Sequence, residues 1–170
     1  MASEQPLCTS LLLKVREQID LAIDLITRIP IDRMKWKPTV PDSWPVEMLL
    51  GHLLDCLAGF CAVLRAAEPE RLAHFAELQK RAVNHACSRE EALNAIALYS
   101  ARIDEGFALT NDSDLARRLP TLFASTGETI LTLLLGNLEH LINHKHQLFT
   151  YLKEMGVEVS SRDLYRFRGE

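Results

Sequence analysis

The residue pattern with the clearest chemical potential is a pair of histidines four positions apart, His140 and His144. In an α-helix, that spacing places both imidazoles on the same face, one turn apart. Two such rings can offer nitrogen ligands to a single metal ion, which is why zinc-binding helices use this spacing. The alternative is a pair of histidines that are hydrogen-bonded or solvated, and the pair alone does not decide between the two.

A third imidazole, His52, interrupts an otherwise apolar run from Val46 to Leu64. A buried neutral imidazole needs partners for both of its ring nitrogens. If His52 faces the pair His140 and His144 from another helix, it completes a three-histidine site with an open coordination position, which is typical of catalytic rather than structural zinc. If it does not, His52 is a core histidine that bonds to a neighbouring carbonyl.

Two further side chains follow His52 by about one helical turn. Asp55 is the candidate catalytic residue, because it could orient the His52 ring or take a proton from a water on the metal. It could equally be a surface carboxylate. Cys56 could also face the site, although a buried cysteine more often serves as a small hydrophobic residue.

Helical periodicity supplies the elements that must position these residues. Apolar residues that recur at steps of three and four predict four long helices, over residues 7–29, 46–64, 89–109 and 128–155. Ser43 is the predicted N-cap of the second helix. The spacing of Ser88 and Glu91 is that of a capping box for the third, and Gly156 is the predicted C-terminal cap of the fourth. A short helix is expected between residues 71 and 81.

Four long helices in a chain of 170 residues predict an all-α fold, a four-helix bundle. We expect one domain over residues 1–170, with residues 156–170 as a C-terminal tail. A connection of about 20 residues can reach ~65 Å when extended, whereas a helix of ~22 residues is ~33 Å long. The third helix can therefore follow a crossover connection and run parallel to the second.

Composition predicts a cytoplasmic protein that binds neither nucleic acid nor membrane. Nineteen basic against 23 acidic residues give a net charge of −4 and no basic field for nucleic acid. No apolar run of about 18 residues lacks a charge or an imidazole, and the first residues do not resemble a signal peptide. The irregular spacing of the cysteines favours reduced thiols over a disulfide framework. The four cysteines are Cys8, Cys56, Cys61 and Cys87.

Two stretches of the sequence resemble signatures of the DinB/YfiT-like superfamily. Residues 44–53, WPVEMLLGHL, resemble its second helix, with a tryptophan, a cap and an apolar helix with histidine eight residues on. Residues 140–148, HLINHKHQL, resemble its fourth helix, where the usual order is histidine, three residues, histidine, a basic residue, glycine, glutamine and leucine. Lys37-Pro38 is also similar to that family's first connection. The departure is His146, where glycine is usual.

The resemblance implies an up-down-down-up bundle, often a homodimer, with a divalent metal ion held by His52, His140 and His144. Zinc or nickel is the ion that we expect. Some relatives are thiol-dependent S-transferases or isomerases that use a low-molecular-weight thiol. The sequence therefore predicts a metal-dependent transferase, or a related hydrolase or isomerase, that acts on a small molecule. The alternative is a non-catalytic oligomeric helical protein whose metal site is structural or vestigial.

Overall fold

Most of the chain is helical in the computed structural model, which describes residues 6–121 and 126–166. The four long helices are α1 (Leu7–Thr27), α2 (Val46–Ala67), α3 (Arg89–Ala108) and α4 (Ile130–Glu154). Short 3₁₀ helices occupy Ile31–Arg33, Ala73–Lys80, Asp114–Ala116 and Ser161–Asp163. The predicted all-α class is confirmed, and the last four residues of the predicted tail lie outside the described residues.

One short antiparallel ladder interrupts the helical pattern. Strand β1 (Arg118–Leu119) pairs with β2 (Glu128–Thr129), so that Arg118 is opposite Thr129 and Leu119 is opposite Glu128. Two residues per strand are too few for a period-two pattern to emerge from the sequence. The ladder ends where α4 begins, and the Thr129 hydroxyl caps that helix by accepting the N–H of Thr132 at 3.1 Å.

Two of the predicted helix caps are confirmed. Ser88 and Glu91 form a capping box, in which each backbone N–H donates to the other residue's side chain. Gly156 has φ of +79°, and its N–H donates to the Lys153 carbonyl at 3.0 Å. A second bond from the residue after Gly156 reaches back to Leu152, which completes a Schellman motif.

The prediction that Ser43 caps α2 is wrong. Helix α2 begins at Val46, and among the described residues no side chain caps it. Instead, the Val46 N–H donates to the Trp36 carbonyl at 3.0 Å, and the Glu47 N–H donates to the Met34 carbonyl at 2.9 Å. Backbone carbonyls of the first connection thus satisfy donors that a serine hydroxyl would otherwise satisfy, and this connection is held over the start of α2.

Helices α1 and α2 each pack against both α3 and α4. The starts of α2 and α3 meet where the Cys87 N–H donates to the Glu47 carbonyl at 3.1 Å. Their later turns meet where Gly106 lies directly against Leu64. Helix α2 carries a fully buried side chain on nearly every turn, so it lies at the centre of the apolar core.

A buried lysine links α4 to α1 and to the C-terminal segment. Lys145 is 2% exposed. Its Nζ donates to Gln18 Oε1 at 2.6 Å and to the Leu164 carbonyl at 2.8 Å. Burial lowers the pKa of Lys145 to about 8, against the opposing effect of Glu17. The ammonium is retained inside because oxygen acceptors from two other elements solvate it.

Among the described residues, α2 has the length and apolar composition that crossing a membrane would require. Within its most apolar 18-residue window, 56% is buried inside the fold. The core helix of a soluble protein meets the same two criteria, so they do not separate the alternatives. The absence of a membrane span therefore stays a prediction from the sequence.

Gly51 allows the segment before α3 to lie directly on α2. A Cβ atom at Gly51 would overlap the backbone carbonyl of His85. Because the contact is backbone against backbone, a flexible side chain cannot move aside to relieve it. The glycine therefore fixes how closely residues 81–87 approach the turn of α2 that carries His52.

We expect Gly51→Ala to lower the free energy of unfolding by roughly 1–3 kcal/mol, because the new methyl group forces the two backbones apart. Gly136→Ala is the matched control, since Gly136 is exposed on α4 and a Cβ there meets no atom within 4 Å. That control should be stabilising by up to about 1 kcal/mol. Urea denaturation of both variants measures the difference, and a Gly51→Ala protein as stable as the wild type would contradict the proposed close approach.

Candidate metal centre

The three predicted histidines meet between α2 and α4. His52 lies in the second turn of α2, and His140 and His144 lie on successive turns of α4. One ligand nitrogen from each ring lies within 4.8 Å of the others. The ring centroids of His52 are 4.9 Å from His140 and 4.3 Å from His144. All three residues are partly buried, so the cluster keeps some exposure to solvent.

The spacing of one pair of ring nitrogens is close to that around a metal ion. His52 Nε2 and His140 Nε2 are 3.0 Å apart. Around a tetrahedral zinc ion with Zn–N distances of about 2.0–2.1 Å, two ligand nitrogens are about 3.3 Å apart. Without a cation, one of the two nitrogens must carry a proton and donate it to the other.

Amide oxygens lie within hydrogen-bonding distance of Nδ1 in two of the rings. His52 Nδ1 lies 2.7 Å from Asn84 Oδ1, and His144 Nδ1 lies 2.9 Å from Gln147 Oε1. An amide oxygen only accepts, so each Nδ1 carries the proton and donates it. In the neutral ring, Nε2 then keeps its lone pair. This is the tautomer that a histidine needs in order to bind a metal through Nε2.

Asp55 positions Asn84 rather than facing the other imidazoles. Its Oδ2 accepts the backbone N–H of Asn84 at 2.7 Å. Asn84 has φ of 47°, in the left-handed region that asparagine tolerates better than most residues. The same Oδ2 is 3.7 Å from His52 Nδ1, beyond hydrogen-bonding distance. The candidate catalytic Asp55 therefore lies on the Nδ1 side of His52, whereas His140 is on the Nε2 side.

Trp44 forms an aromatic wall against the cluster. Its ring contacts His52 edge-on, with centroids 4.7 Å apart, and lies nearly parallel to His144 at 6.2 Å. A hydrogen-bonded chain fixes its backbone, in which Gln147 Nε2 donates to the Tyr151 hydroxyl and that hydroxyl donates to the Trp44 carbonyl. The tryptophan that opens the stretch WPVEMLLGHL is therefore part of the site.

Two other residues considered from the sequence lie apart from the imidazole cluster. The Cys56 thiol donates to the His52 carbonyl at 3.3 Å. Burial raises the pKa of Cys56 to about 12, so its sulfur is a neutral thiol that bonds to the helix backbone. His146 is exposed and stacks on Phe149, with ring centroids 6.0 Å apart.

Sequence reasoning missed Asn84 and Gln147 as partners of the imidazoles. Gln147 had a usable signal, because it follows His144 by three residues and so shares its helix face. Asn84 lies in a connecting segment, and its distance along the chain from His52 gave no such signal. The structure alone brings it to the site.

Burial sets the protonation of the two imidazoles on α4. It lowers the pKa of His140, and the neighbouring His52 lowers it further against the opposing effect of Asp55. Burial also lowers the pKa of His144, although the hydrogen bond to Gln147 acts in the opposite direction. Both rings are therefore neutral at pH 7, which is the form that binds a metal.

Helices packed around one core, with three imidazoles gathered between two of them, define an all-α protein with a candidate metal-binding site. A sequence model described as the DinB superfamily matches residues 14–148, a span that contains all three histidines. The chain belongs to the DinB superfamily. Among the curated proteins, none matches this chain.

The fold is also similar to that of a solved structure. The crystal structure of YjoA, a DinB-like protein from Bacillus subtilis, superimposes with a TM-score of 0.67. The two sequences are 20% identical, and the match covers 88% of this chain and 94% of that chain. At this level of identity, the likeness establishes the shared fold.

The lowered pKa values of His140 and His144 predict a pH-dependent stability. Between pH 7.5 and 5.5 the unfolded chain takes up protons at these positions near its ordinary pKa of about 6.5, before the folded protein does. The free energy of unfolding of metal-free protein should therefore decrease as the pH is lowered from 7.5 to 5.5. The decrease should be smaller for a His140→Gln/His144→Gln variant. Chemical denaturation at the two pH values compares the slopes, and equal slopes for the two proteins would rule out this contribution.

Proposed function

We propose that this protein is a metal-dependent enzyme that acts on a small molecule, with one divalent ion held by His52, His140 and His144. The observation that carries the proposal is the convergence of the three ligand nitrogens within 4.8 Å. Its support comes from the amide oxygens of Asn84 and Gln147, which leave Nε2 of two of the rings free to bind. This tautomer is the one in which a histidine can bind a metal through Nε2.

We also propose that the helices form an up-down-down-up four-helix bundle. Two contacts support parallel α2 and α3, Glu47 with Cys87 at the starts and Leu64 with Gly106 in the later turns. The histidine contacts, together with Gly59 against Asn137, support antiparallel α2 and α4. In this arrangement the connection from α2 to α3 returns along the bundle, and Asn84 reaches the site from that crossover.

In the proposed site, each residue has a distinct role. The three neutral imidazoles bind the ion without offsetting its charge. When bound, the ion would act as a Lewis acid and lower the pKa of a coordinated water or thiol. Trp44 excludes water from one side of the cluster through its ring contacts with His52 and His144. Asp55 is a positioning residue, because it acts on His52 through Asn84.

The state of the chain's own cysteines supports a thiol that comes from outside. All four cysteines are buried, and burial raises the pKa of each to about 11 or 12. None of them supplies a thiolate at neutral pH. We propose that a low-molecular-weight thiol is the co-substrate, and that its sulfur bonds to an electrophilic carbon of a small molecule while the thiol proton and a leaving group depart.

Metal content tests the ligand set directly. Protein purified without a histidine tag and loaded with zinc or nickel should hold about one ion per chain after desalting, measured by elemental analysis. A His140→Ala/His144→Ala variant should lose the ion, because one imidazole remains. His146→Ala is the matched control on the same helix and should keep it. Near-stoichiometric metal in the double variant would refute the assignment.

Turnover tests the proposed activity. Metal-loaded protein should accelerate the reaction of a low-molecular-weight thiol, such as cysteine or glutathione, with monochlorobimane. The thiol proton and the chloride leave as the carbon–sulfur bond forms, and fluorescence reports the product. The acceleration should be lost with chelator or in the His140→Ala/His144→Ala variant. Stoichiometric metal binding with no acceleration for any thiol tested would favour the non-catalytic alternative.

Removal of the metal should leave the helices folded, because the chain buries an apolar core that does not include the imidazoles. Circular dichroism with and without chelator checks this at room temperature. We expect the helical signal to persist and the midpoint of thermal unfolding to fall, since the ion binds only the folded state. Loss of the helical signal on chelation would instead make the metal a structural element.

A further inference from the structure

The structure has a cavity that the proposed metal centre does not use. It measures about 300 Å³ and lies between α2, the 3₁₀ helix Ala73–Lys80 and α3. This volume is at the lower end of the range of small-molecule sites. The buried side chains of Phe75 and Leu78 contribute an apolar wall, and Ala58 and Ala62 of α2 leave the space open opposite them.

Two arginines that line this cavity lack a carboxylate partner within the described part of the chain. Arg65 donates to the side-chain oxygen of Gln79, and the guanidinium of Arg81 lies 5.8 Å from the Tyr99 ring centroid. By contrast, Arg102 pairs with two glutamates. The positive charge of Arg65 and Arg81 is therefore available to an anion.

Polar groups inside the cavity also match such a ligand. Tyr99 is 3% exposed and lines the cavity, and its hydroxyl has no hydrogen-bond partner among the described residues. Burial raises the pKa of Tyr99, so the hydroxyl stays protonated and can donate. The carboxylate in the wall, Asp55, already accepts the Asn84 N–H. The cavity thus offers donors and positive charge beside apolar surface.

We propose that this cavity binds a small organic anion with an apolar body, namely an aryl or alkyl carboxylate. The carboxylate pairs with Arg65 and Arg81 and accepts from Tyr99, and the apolar body contacts Phe75 and Leu78. The proposal does not depend on the metal centre. Asp55 belongs to the wall of the cavity and also positions Asn84 behind His52, so the two sites are neighbours.

Calorimetric titration of metal-free protein with 4-phenylbutyrate tests this site, with 4-phenylbutanol as the uncharged probe. We expect one carboxylate per chain, bound about tenfold more tightly than the alcohol. Arg65→Gln and Arg81→Gln should each weaken the carboxylate about tenfold, because each removes a charge-assisted hydrogen bond. Arg33→Gln is the matched control, since Arg33 is an exposed arginine away from the cavity, and should leave binding unchanged.

A larger side chain that fills the cavity tests the site without a change in its charge. Ala62→Phe on the exposed rim should block the carboxylate while circular dichroism shows the same helical signal. Equal affinity for acid and alcohol, or equal loss in Arg33→Gln, would overturn the proposal. Binding that appears only with zinc and is unaffected by the arginine variants would also overturn it, because the carboxylate would then bind the metal.

Discussion

The site depends on a limit on how many protons its three partly buried imidazoles can carry. At a separation of 3.0 Å, His52 Nε2 and His140 Nε2 cannot both carry a proton. Either one donates to the other or a cation lies between them. Burial lowers the pKa of His140 and His144, and Asn84 and Gln147 keep two of the protons on Nδ1. Partial dehydration and these amide partners together keep the lone pairs available.

Helix α2 connects the histidine cluster with the rest of the fold. Within its first three turns, Gly51 admits the backbone of the following connection, His52 enters the cluster, and Asp55 accepts from that same connection. The opposite faces of the helix are buried against α3 and α4. In this almost wholly apolar helix, the polar side chains of His52 and Asp55 thus each have a partner from another part of the chain.

Local patterns predicted most of the helices and the three histidines, because periodicity and spacing are properties of neighbouring residues. The capping box of Ser88 and the glycine cap of α4 are local in the same way. The predicted cap at Ser43 failed because backbone carbonyls of Met34 and Trp36, about ten residues before the helix, took its place. Lys145 was inaccessible for the same reason, since its acceptors come from α1 and the C-terminal segment. What the sequence could not supply was contact between segments far apart in the chain.

The partners of the two held imidazoles come from different kinds of structure. Gln147 belongs to the same helix as His144, whereas Asn84 belongs to a connection between helices. Connections accept insertions and substitutions more readily than packed helices do. In the proposed metal site, divergence within that one segment would change the environment of His52 alone, while the packed helices stay constant.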